Sequence, residues 1–256
     1  MIEPSYKLSH APIVEAVLDI ECDLPLAKSI SELETPSCDV FRPQYPKIRK
    51  IYEQKHEFKL SPDEKSSEAP GNMVSRVLKG FQFLTADEKQ VVQVRAEGFS
   101  FNRLTPYDSL DAYLPEIERC WKLFLGITSP VQIRTLRLRY INRLLLPFGD
   151  DDRIELSDYL TVCPQLPDDS RFNLLSFLHQ HSAVEISTGN RVQIVWAGQP
   201  RENDHAPIIF DITVESQQKG SPEEWPWLLN QISVLRALKN DLFTKALTKK
   251  CLSLHQ

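Results

Sequence analysis

PIVEAVLDIECDL, residues 12–24, and PVQIRTLRLRYINRLLL, residues 130–146, decide the fold. In the first, Val14, Ala16, Leu18, Ile20, Cys22 and Leu24 share one parity, while Glu15, Asp19, Glu21 and Asp23 share the other. In the second, Leu136, Leu138, Tyr140 and Leu144 alternate with Arg137, Arg139 and Arg143. Side chains alternate across an extended strand, so each segment has one apolar and one charged face, acidic in the first and basic in the second.

Outward from these strands the pattern changes to helices and hairpins. Short helices are expected over Leu26 to Leu33 and Gln44 to Glu53, kept short by Pro25, Pro36, Pro43 and Pro46. Ser61 to Asn72 reads as an exposed loop. Strands over Val74 to Thr85 and Gln90 to Arg103 make an antiparallel hairpin around Ala86 to Lys89. Leu110, Tyr113, Leu114, Ile117, Cys120, Trp121, Phe124 and Leu125 recur at three and four, the spacing of a helix laid on a sheet, with Gly126 and Pro130 as its stop. Further on come a short helix from Glu155 to Val162, a hairpin of Ala183 to Ser187 with Val192 to Ala197, and a strand from Pro207 to Ser216. A long helix, capped by Ser221-Pro222-Glu223-Glu224, carries Leu228, Ile232, Leu235, Leu238, Leu242 and Ala246.

One fixed shift superposes the two halves. It carries Leu18 onto Leu136, Ile20 onto Leu138, and Leu110, Leu114, Ile117, Cys120 and Phe124 onto Leu228, Ile232, Leu235, Leu238 and Leu242. It also carries Val92, Val94 and Ala96 onto Phe210, Ile212 and Val214, and Asp19 and Glu21 onto Arg137 and Arg139. The expectation is an α+β fold, a largely antiparallel sheet covered on one face by two long helices, with internal duplication of a strand, hairpin and long-helix unit. The repeats are 1–128 and 129–256, within one continuous globular unit.

Composition narrows the function. With 256 residues, 41% hydrophobic and 25% charged, the chain can bury a substantial core. A net charge of -5 supplies no broad basic field, which argues against nucleic acid as a partner. No signal peptide and no run of about 18 apolar residues is present, so the expectation is a cytoplasmic protein without a membrane span. The five cysteines are scattered and odd in number, a pattern of reduced thiols rather than of a zinc ribbon or disulfide framework.

Two readings of the charged faces stand side by side. In one, acidic and basic rows form cross-strand ion pairs on a solvated sheet. In the other, Arg137, Arg139 and Arg143 line an anion site, because guanidinium forks suit phosphates and carboxylates. Asp19, Glu21 and Asp23 are then candidate ligands for Mg or Mn, since carboxylates two apart share a strand face. No catalytic signature accompanies either: G-x-S-x-G and the glycine-rich phosphate loops are absent. His179, His181, Asp204 and His205 are a further metal candidate, and Trp225 and Trp227 are either core caps or an anchor for a partner protein.

The segments APIVEAVLDIE (Ala11 to Glu21), FSFNRLTPY (Phe99 to Tyr107) and RLRYINR (Arg137 to Arg143) resemble a sporadically distributed family of uncharacterised bacterial proteins. The similarity spans nearly the whole chain. It implies an accessory role, for instance in phage defence or a toxin-antitoxin-like operon, with a protein encoded nearby as partner; it carries over no catalytic residues. Asp19-Ile20-Glu21-Cys22-Asp23 with Arg137-Leu138-Arg139 is also similar to triphosphate-tunnel enzymes, which implies a metal-dependent triphosphate hydrolase; Asp23 departs from that pattern, which has lysine there. The leading expectation is a non-enzymatic protein-binding or regulatory subunit, able to form homo-oligomers, with no cofactor. The alternative is a phosphate- or nucleotide-binding protein using Mg or Mn.

Overall fold

The computed structural model describes residues 8–25, 29–57, 73–149, 152–164 and 175–256. Its strands are β1 (Ile13–Asp23), β2 (Lys47–Glu57), β3 (Met73–Leu84), β4 (Gln90–Arg95), β5 (Gly98–Leu104), β6 (Gln132–Pro147), β7 (Leu178–Val184), β8 (Arg191–Gly198) and β9 (His205–Ser216). They form one antiparallel sheet in the order β2-β3-β4-β5-β1-β6-β9-β8-β7. The helices are α1 (Glu34–Phe41), α2 (Leu110–Thr128), α3 (Trp225–Ala246) and α4 (Lys249–Ser253). The fold is therefore α+β, as the alternation of the two long strands and the helical phase of the two long helices require.

The strand order reads outward from its centre as two similar halves. β5, β4 and β3 follow β1 on one side, and β9, β8 and β7 follow β6 on the other. In the central pair, Asp19 stands directly opposite Arg137, with Leu18 opposite Leu138 and Ile20 opposite Leu136. Asp19 and Arg137 are 118 positions apart, the same shift that superposes the halves in sequence. The strand order is thus similar on either side of this pair, and the two residues that the shift equates face each other. Like charges directly opposite destabilise an antiparallel pair, and here the two facing positions carry opposite signs.

The shift fails one strand further out. Ser100 of β5 lies opposite Asp19, whereas Glu215 of β9 lies opposite Arg137, so β9 is the counterpart of β5. The sequence superposition had matched it with Val92, Val94 and Ala96, which belong to β4 and the turn after it. A period of two is common to all strands and cannot distinguish neighbours.

Several local expectations are also corrected. Gln44 to Glu53 is not a helix: Lys47–Glu57 is β2, with a register shift between Ile51 and Tyr52 that disrupts strict alternation and leaves a helix-like spacing of apolar residues. Of the helix placed at Leu26 to Leu33, 26–28 lie outside the described residues, and Ile30–Leu33 is a 3-10 turn continuing into α1. Gln90 to Arg103 is two strands, broken by a turn at Ala96 and Glu97. Gly126 lies inside α2, which ends instead at Ser129 with φ +50°. Glu155 to Val162 retains only a 3-10 turn, Leu156–Asp158. The hairpin strand expected at Ala183 is Leu178–Val184, and α3 starts at Trp225 after a turn in which the Glu224 N–H donates to the Ser221 carbonyl. The expected loop from Ser61 to Asn72 lies outside the described residues.

The core lies between the sheet and its helices. Ile117, Trp121 and Phe124 of α2 pack over Leu18, Phe99 and Phe101, while Leu228, Ile232 and Leu235 of α3 belong to the same buried cluster as Leu138, Phe210 and Ile212. Phe41 of α1 meets Phe83, ring centroids 5.2 Å apart, and Trp121 stacks on Phe124 at 5.3 Å. The Trp121 indole donates to the Pro222 carbonyl at 3.0 Å, tying the first long helix to the turn that opens the second.

Gly98 begins β5 at φ +144°, and a Cβ there would lie 2.0 Å from the Ile20 carbonyl oxygen. The close approach allows the Glu97 carbonyl to accept from the Cys22 N–H at 2.8 Å. Gly98→Ala should therefore lower stability by roughly 2–4 kcal/mol through backbone displacement and strain, measured as a fall in the urea midpoint. An unchanged midpoint would refute the backbone contact.

Candidate functional site

The sheet face opposite the helices carries the charges. The charged side chains of β1 and β6 occupy the parity left by Ala16, Leu18, Ile20, Leu136, Leu138 and Tyr140, which face the helices. Asp19 accepts from Arg95 of β4 and, at 3.4 Å, from Nη1 of Arg137. Arg137 donates through Nε at 3.0 Å and Nη2 at 2.7 Å to Glu215 of β9, and at 3.4 Å to Glu21. Arg191 of β8 lies 3.8 Å from the other oxygen of Glu215. Across the sheet the row runs Arg95, Asp19, Arg137, Glu215, Arg191, alternating in sign at every step. Arg95 reaches Asp19 across β5, where Gly98 and Ser100 present almost no side chain to block it.

Burial shapes this row. The Asp19 side chain is only 10% exposed and that of Glu215 only 14%. Burial pushes the Asp19 carboxyl above its ordinary range, although Arg95 and Arg137 both pull it down. Burial also disfavours the Arg137 charge, but Glu215, Asp19 and Glu21 outweigh it and raise the net value.

The remaining charged candidates are likewise engaged. Arg139 forms a fork on Asp211, with Nε and Nη2 at 2.9 Å and 2.6 Å from one carboxylate oxygen. Arg143 donates to Glu202 and, at 3.4 Å, to Gln199. Asp23 departs from the acidic row: a register shift between Glu21 and Cys22 sets it beside Arg134 at 3.2 Å. Glu15 accepts from Asn102 at 2.8 Å.

Among the described residues no group of three or more His, Cys, Asp or Glu side chains is arranged to hold a metal. His179 and His181 are neighbours on β7, ring centroids 4.3 Å apart, but Asp204 and His205 do not complete a ligand set with them. Trp225 and Trp227 are partly buried against the core, and the Trp227 ring occupies the space over Gly220, where a Cβ would meet it at 2.3 Å. They cap the core here. Cys22 and Cys120 are buried, which pushes both thiols up to about 12, far from the range of a reactive thiolate. The cavity under α2, bordered by Leu18, Phe101, Tyr107, Leu110 and Tyr140, holds about 10 Å³, at most a single water.

Comparison with protein-family models, with curated proteins and with solved structures finds no match to this chain.

One charged residue of the interior escaped the sequence reading. Lys239 of α3 is the counterpart of Trp121 of α2 and is buried, its ammonium 4.1 Å from the centroid of the Tyr140 ring. The Tyr140 hydroxyl in turn meets that of Tyr107 at 3.2 Å. Burial, with Arg236 nearby, brings the Lys239 ammonium down to about 8. Arg236 itself bridges to Asp111 of α2 at 2.6 Å. The signal was present, since 239 continues the inward phase of 228, 232 and 235, but a lysine there reads as surface.

Four outcomes follow from this geometry. Arg137→Ala should cost roughly 2–4 kcal/mol, because Asp19 and Glu215 lose a partner while remaining buried. The charge exchange D19R with R137D should not restore stability, since it sets Arg95 against arginine and Glu215 against aspartate; full recovery in chemical denaturation would show an isolated pair rather than a row.

The raised Asp19 value means the folded state holds that proton to a higher pH than the unfolded chain. Its contribution is thus present below about 4 and lost as pH rises through the folded value. Wild-type melting temperature should accordingly fall relative to that of D19N as pH rises from 3 to 6, and parallel curves would contradict this.

For Lys239 the folded value lies below the usual 10.5, so between about 8 and 10.5 the unfolded chain binds more protons and stability rises with pH. Lys239→Met should raise stability at pH 7 by about 1–3 kcal/mol, an advantage that shrinks toward pH 10. A destabilised K239M would mean that the ammonium is held by more than the tyrosine face.

Proposed function

We propose that this chain is a cytoplasmic, non-enzymatic accessory subunit whose partner is another protein. One observation carries the reading: the arginines that would bind a phosphate, Arg137, Arg139 and Arg143, each rest on a carboxylate of a neighbouring strand or turn. An anion would have to displace Glu215, Asp211 or Glu202, and a divalent cation would have to displace guanidiniums from Asp19 and Glu21. A face on which both signs are already matched suits recognition of another protein surface, where complementary charge sets specificity more than affinity. Among the described residues no helix is long and apolar enough to cross a membrane. The resemblance to a sporadically distributed bacterial family supplies the setting, an operon-linked partner in a defence or toxin-antitoxin-like system.

The alternative, binding or hydrolysis of a triphosphate with Mg or Mn, makes an opposite prediction at the same residues. Tagged protein from the native host should carry one protein at near-equal stoichiometry, and the two purified components should re-form the complex. Titration of ATP with Mg²⁺ should give no heat of binding. Triphosphate binding or turnover abolished by R137A with R139A would overturn the accessory reading.

A further inference from the structure

We propose that the outer edge of β7 pairs with β7 of a second copy of this chain, joining two sheets through an antiparallel seam. The inference rests on the fold and is independent of the function proposed above. β7 hydrogen-bonds to β8 on one side, and among the described residues no strand lies on its other side. Its counterpart in the first half, β3, is covered there by β2 along eleven residue pairs, from Lys47 opposite Leu84 to Glu57 opposite Met73. Among the described residues the second half therefore has no counterpart of β2.

The two outer edges differ in how they treat a visiting strand. β2 carries Lys47, Arg49, Lys50 and Glu53, engaged with Glu88, Glu34 and Lys79, and such a charged fence discourages edge pairing. LSFLHQHSAV, residues 175–184, has no Asp, Glu, Lys or Arg. It exposes Leu175 at 89%, Leu178 at 75% and Val184 at 59%, with Ile186 fully exposed just beyond. An extended edge strand that lacks formal charge and exposes Leu178 and Val184 is one that natural sheets cover.

A second copy fits this edge because the strand is its own complement. Antiparallel pairing of identical strands is isologous and closes after two chains. With no formal charge on either strand, no like-charge contact arises at any register, whereas the fenced β2 edge would bring Lys47, Arg49 and Lys50 to the seam. Leu178 and Val184 share one sheet face and His179, His181 and Ala183 the other, so pairing about the strand centre sets Leu178 of one copy near Val184 of the next. Seven residues make a short seam of roughly 24 Å, at the low end of stable interfaces, so the dimer should be concentration-dependent.

The test uses the full chain. Sedimentation from 1 to 200 μM should show a shift from the 29.5 kDa monomer to twice that mass. L178K/V184K and L178E/V184E, both altered only at exposed side chains, should each remain monomeric with unchanged circular dichroism. Mixed one to one they should dimerise again through opposite charges. Tyr52→Lys on the β2 edge should leave the dimer intact. A wild-type chain monomeric at 200 μM, with the edge covered by its own residues or kept for another protein's strand, would overturn the proposal. A dimer that survives in both charged variants would do so as well.

Discussion

The contact of Asp19 with Arg137 across the central strand pair is the constraint around which the rest of the sheet is arranged. Two similar halves meet at this point, so whatever residue one half places at the axis confronts its own counterpart. Opposite charges at that position convert a repulsion into an ion pair. The consequence spreads outward, because Asp19 is buried and Arg137 half-buried, and each takes more than one partner. Arg95 completes the first and Glu215 the second, and Arg191 extends the row to a further strand. A glycine and a serine on the intervening strand keep the path open, which links an apparently unrelated backbone requirement at Gly98 to the electrostatics of the face.

Much of this architecture is legible in the chain. The alternation of residues 12–24 and 130–146 identifies both central strands, and the three-and-four spacing of residues 110–125 and 228–242 identifies both long helices. What escapes is local irregularity. The shift at Ile51 and Tyr52 gives β2 the apolar spacing of a helix, and the turn at Ala96 and Glu97 is too short to interrupt the apparent alternation of a single strand. For the charged face, the row membership of Asp19, Glu21, Arg137 and Arg139 is visible, but their partners are not. Glu215 and Asp211 are brought in by strand order, which a period of two does not encode.

The two long helices differ at one position that the sequence shift matches. Trp121 and Lys239 occupy equivalent inward positions, and both are buried. Trp121 fills its site with a ring stacked on Phe124 and uses its N–H to hold the Pro222 carbonyl. Lys239 fills its site with a flexible stem and leaves its charge over the Tyr140 ring. The first arrangement secures the junction between halves. The second keeps an ionisable group in the interior, where its charged form is held against the preference of its surroundings.

The sign of the first strand has a meaning for a chain still being made. β1 leaves the ribosome more than a hundred residues ahead of the strand it will pair with, since Glu21 and its partner Arg137 are 116 positions apart. Until β6 arrives, that side of β1 is the open margin of an incomplete sheet, and such margins invite pairing between nascent chains. Glu15, Asp19, Glu21 and Asp23 give one face of this strand a row of carboxylates, and like charges directly opposite disfavour its pairing with a second copy of itself. The arginines that neutralise it come later in the same chain, Arg95 from β4 and Arg137 from β6.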